Sequence, residues 1–77
     1  MTLTGEQWLA AFAAKLGTPV PTGAEIETLL ALAGSAAHAS ERTAAPVACW
    51  LAARAGVDPG DALELARSVV ERPPGPA

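Results

Sequence analysis

Helix punctuation constrains this chain more than any other feature. Four start signals occur, and each opens an apolar run at helical spacing. Thr4-Gly5-Glu6-Gln7 and Thr22-Gly23-Ala24-Glu25 are both capping boxes, in which a Thr hydroxyl and a Gln or Glu side chain satisfy each other's backbone N–H groups. Thr43 can cap a third helix whose third residue is Pro46, where a missing N–H has no intrahelical partner to lose. Asp58-Pro59 pairs an N-cap acid with a first-turn proline. Gly17, followed by Pro19, and Gly56 are stop signals, because glycine takes the left-handed conformation that ends a helix. The spacing predicts helices over Gly5 to Leu16, Gly23 to Ser40, Ala44 to Ala55 and Pro59 to Glu71. Few residues are β-branched and no run alternates, so no strand is expected.

The helical faces say how these pieces meet. Trp8, Leu9, Phe12 and Leu16 share one face of the first helix. Ile26, Leu29, Leu30, Ala33, Ala36 and Ala37 make a wide stripe on the second. The third carries no charge except Arg54, which predicts a buried, central helix. Ala62, Leu65, Ala66, Val69 and Val70 form the core face of the fourth. Gly34 is either a notch for a bulky neighbour or a tolerated defect. Of the 77 residues 19 are Ala, small enough to let helices approach closely around Trp8, Phe12, Leu30, Leu51 and Trp50. With short connections, the expected fold is all-α: a compact four-helix bundle over residues 1–72. Pro73-Pro74-Gly75-Pro76-Ala77 reads as a disordered tail.

Charge and residue chemistry exclude several classes. The net charge is -3, and the five Lys and Arg residues are scattered. Phosphate neutralisation needs a basic cluster, so neither nucleic acid nor an anionic membrane surface is an expected partner. No apolar run reaches the roughly 20 residues of a membrane span. The N-terminus lacks the basic region of a signal peptide, and Cys49 has no second cysteine to pair with, so a cytoplasmic protein is expected. Cys49 reads as a small packing residue. One His and one Cys are too few for a structural zinc site, and no glycine-rich phosphate loop occurs. No serine lies in a nucleophile-elbow context. The expectation is a protein without metal, cofactor or catalytic activity.

The densest polar constellation is His38, Ser40, Glu41, Arg42 and Thr43, at the junction of the second and third helices. His38 and Arg42 lie one turn apart, away from the apolar stripe. They form either an anion- or partner-binding edge, with Arg42 as a planar donor fork, or a solvated face. Trp50, near Arg54, is either an interface anchor or a core residue. The candidate binding residues are therefore His38, Glu41, Arg42 and Trp50.

The run from Ala36 to Pro46 also resembles a family signature. His38, three residues, Arg42, Thr43 and then Ala44-Ala45-Pro46 match it, with Trp8-Leu9 before and Gly56-Val57-Asp58-Pro59 after. The pattern has Pro where Thr43 stands. The resemblance is to an actinobacterial domain of unknown function (DUF6457) and covers roughly residues 3 to 72. That family occurs alone or fused to proteins similar to molybdenum cofactor guanylyltransferases. The resemblance thus implies a part in making molybdopterin guanine dinucleotide, without assigning roles to single residues.

Three functions are weighed. The first is a non-catalytic accessory domain partnered with a molybdenum cofactor guanylyltransferase-like protein. The second is a generic helical interaction module, such as a homodimer. The third is a small domain holding a phosphate or nucleotide ligand with His38 and Arg42.

Overall fold

The computed structural model describes residues 2–71. They form α1 (Gly5–Leu16), α2 (Gly23–Ala39), α3 (Ala44–Ala55) and α4 (Pro59–Glu71), with no strand among them. This is the all-α, four-helix fold that the punctuation predicts. The proposed tail, residues 73–77, lies outside the described residues.

Both capping boxes close. The Gln7 N–H donates to Thr4 Oγ1 at 3.1 Å while the Thr4 N–H donates to Gln7 Oε1 at 2.9 Å. Thr22 and Glu25 repeat this at 3.1 and 2.8 Å. Gly17 and Gly56 are left-handed, with φ of 76° and 71°. In each case the following residue donates back across the turn, Thr18 to the Ala13 carbonyl and Val57 to that of Ala52. These are Schellman closures, which satisfy carbonyls left without helical partners. At α4 the Asp58 carboxylate accepts from the Gly60 N–H at 3.1 Å.

Two local expectations are corrected. Helix α2 stops at Ala39, one residue early, because Ser40 leaves helical geometry while its N–H and hydroxyl both donate to the Ala36 carbonyl. Thr43 does not cap α3: it is already helical and makes no side-chain cap bond. The Glu41 and Arg42 carbonyls accept from the Ala44 and Ala45 N–H groups instead.

Packing is centred on α2, which lies against α3 and α4. Leu32 of α2 and Ala62 of α4 are buried, as is Ala13 of α1. The sequence reading placed α3 at the centre, but none of its residues is buried. Six of its twelve residues are Ala, so the helix lacks charge without carrying the bulk that burial rewards. The same cause overturns the expected core of large side chains. Trp8, Phe12, Leu30, Trp50 and Leu51 are all 45% exposed or more. Gly34 is no notch, since a Cβ there would meet nothing within 4 Å. Cys49 is half-buried, with its Sγ 3.9 Å from the Leu29 carbonyl oxygen.

Candidate functional site

The junction residues are carried by the end of α2 and the turn after it. His38 sits in the last turn of α2. Glu41 and Arg42 follow the Ser40 break, and their backbone carbonyls start α3. All three side chains are exposed. Trp50 stands two turns into α3, exposed, with the Arg54 guanidinium over its ring.

Spacing along one helix paired His38 with Arg42. The structure also puts His38 on one recess with a residue of another helix. His38 lines a surface recess of about 570 Å³ together with Gly34, Ser35 and Arg67 of α4, and Arg42 does not line it. Arg67 was missed as a site residue because nothing in its local sequence distinguishes it from a solvated helix position. Its place on the recess with His38 depends on α4 lying against α2, which no local pattern encodes. Trp50 and Glu41 do not line this recess either.

A second feature was not legible as a site. The C-terminal half of α2, the inner side of α3 and the face of α4 enclose an open groove of about 680 Å³. Leu32, Leu51, Val57, Leu65 and Val69 line it, with Ala residues between them. Its polar side chains are Ser35 and Ser40, and the Ser40 hydroxyl is already committed to the Ala36 carbonyl. The alanines make the groove: they hold the three helices together without filling the space between them.

Among the described residues no three His, Cys, Asp or Glu side chains gather in a way that could hold a metal ion. No helix among them is long and apolar enough to cross a membrane. No curated protein and no solved structure matches the chain. A family model does match residues 3–72, nearly its whole length: the chain belongs to the family described as Domain of unknown function (DUF6457).

Proposed function

We propose that this chain is a non-catalytic accessory domain that works by binding protein, and that one partner is a molybdenum cofactor guanylyltransferase-like protein. One observation carries the interaction reading: among the described residues, eleven large apolar side chains are exposed, Trp8, Phe12 and Trp50 included. Exposed apolar patches on a small domain mark contact sites, and the stacked Trp8 and Phe12 rings form one. The resemblance read from the signature around His38 supports the choice of partner and the link to molybdopterin guanine dinucleotide synthesis. The edge of His38, Glu41, Arg42 and Trp50 is the surface for that partner. It comprises an exposed Trp50 with Arg54 over its ring, the residue types that dominate binding hot spots, and the exposed charged side chains of the turn between α2 and α3.

The test is a calorimetric titration of the chain into a molybdenum cofactor guanylyltransferase-like protein. A micromolar complex is expected, weakened at least tenfold by Trp50→Ala or Arg42→Ala. No complex at high micromolar concentration defeats the choice of partner.

The His38 recess favours a second reading, in which the domain holds an anion such as a nucleotide phosphate. Arg67 then joins or replaces Arg42 as the guanidinium donor. Amide shifts confined to residues near His38 and Arg67 on adding GTP support it, and their absence removes it.

A further inference from the structure

Helix α1 and the α2–α3–α4 groove have the same unmet need. Helix α1 makes only sparse contact with the other helices. It rests near the start of α2, where Leu9 lines a shallow recess with Ile26 and Leu30, and its Ala13 is buried. The adjacent strip, Trp8, Phe12 and Leu16, is exposed. Trp8 and Phe12 stack on each other with ring centroids 4.9 Å apart, which makes one broad aromatic surface. At the far end of α2 the groove exposes Leu51, Leu65 and Val69. One molecule therefore carries both an apolar helical ridge and an apolar trough.

We propose that the groove is filled by α1 of a second copy of this chain, each copy lending its Trp8–Phe12–Leu16 strip to the other. The inference rests on the interaction-domain reading, in that it takes uncovered apolar faces as contact surfaces, but it concerns a different surface from the His38 edge. Area supports a second copy. The accessible surface is 6141 Å², whereas a close-packed monomer of this mass exposes about 4,300 Å². When the residues outside 2–71 are set aside at the full area of an unfolded chain, about 1,000 Å², a close-packed unit of the remaining roughly 7.0 kDa exposes about 4,000 Å², so the excess is about 1,100 Å². Two chains covering that excess bury about 2,200 Å² in total, within the range of about 2,000–5,000 Å² for obligate homodimers.

Connectivity disfavours the chain's own α1 as the occupant. The link of residues 17–22 contains Pro19 and Pro21 and delivers α1 to the start of α2, while the groove uses α2 from Leu32 onward. A small ligand is disfavoured by the scarcity of polar groups to orient it. Reciprocal exchange closes on itself with two-fold symmetry, so it yields a dimer and no larger species.

The experiment is analytical ultracentrifugation of the full chain, comparing the wild type, two variants and the mixture of those variants. The wild type is expected at twice the 7.7 kDa single-chain mass. A Trp8→Ser, Phe12→Ser double variant and a Leu65→Glu variant are each expected at the single-chain mass, with helical circular dichroism retained because these positions are exposed. Mixing the two variants is expected to restore the doubled mass, since one ridge and one trough remain intact between them. A wild type at single-chain mass up to high micromolar concentration overturns the proposal. In that case a blue-shifted Trp8 emission, read in a Trp50→Phe background, identifies the chain's own α1 as the occupant. A dimer that survives both variants, or a mixture that stays at single-chain mass, also overturns it. A monomer that still binds the guanylyltransferase-like protein leaves the interaction-domain reading standing while this one fails.

Discussion

The Arg54 guanidinium lies over the Trp50 ring, 5.1 Å from its centroid, and neither side chain is buried. A cation over an indole at an exposed site contributes about 0.5–1 kcal/mol. Trp50→Ala is therefore expected to lower the unfolding free energy by about 1 kcal/mol or less. Urea unfolding followed by the helical circular dichroism signal measures this. A loss of about 3–5 kcal/mol, the range for deleting a core aromatic, would return Trp50 to the core.

The three threonine starts are unequal, and melting separates them. Thr22 is closed into a capping box on the helix around which the fold packs. Thr22→Ala should cost about 1 kcal/mol. Thr43 makes no cap bond, so Thr43→Ala should change stability by less than about 0.5 kcal/mol. Equal losses at the two positions would mean that Thr43 caps α3 in solution.

These cases show what was legible in the sequence. Thr4, Thr22, Asp58, Gly17 and Gly56 act through bonds to residues at most a few positions away, so the helices could be placed from local spacing alone. Burial of Trp8 or Leu51 depends on whether another helix arrives opposite, and an Ala-rich stripe does not say which face it will meet. The candidate site divides in the same way. The sequence placed His38 and Arg42 one helical turn apart, but α2 ends at Ala39 and Arg42 lies beyond the Ser40 break, outside the recess that His38 lines. It did not show that Arg67 and His38 line one recess, or the groove, because both arise from α4 lying against α2.

Gly34 offers a test of the space around α2. It lies inside the helix, with nothing within 4 Å of where a Cβ would stand. Gly34→Ala is expected to stabilise the chain by about 0.5–1 kcal/mol, since Ala restricts the unfolded chain and favours helix. Thermal unfolding checks this. A lower midpoint would mean that another surface approaches Gly34 more closely in solution.

Leu32 and Leu65 share the groove lining but differ sharply in burial: Leu32 is 3% exposed and Leu65 60%. Truncating a buried Leu removes its transfer energy and leaves a cavity, at about 2–5 kcal/mol. A chain of this length has a total stability of only about 4–12 kcal/mol. Leu32→Ala should therefore consume a large share of it and leave the protein partly unfolded near physiological temperature. Leu65→Ala, studied at concentrations where the chain is monomeric, removes a side chain that is mostly in water and should cost less than about 1 kcal/mol. Raising the concentration should then widen the gap between wild type and Leu65→Ala, because pairing through the groove stabilises only the wild type fully. A Leu65→Ala deficit that stays constant with concentration would count against the paired groove, while a small Leu32→Ala effect would show that α2 is not the centre of the fold.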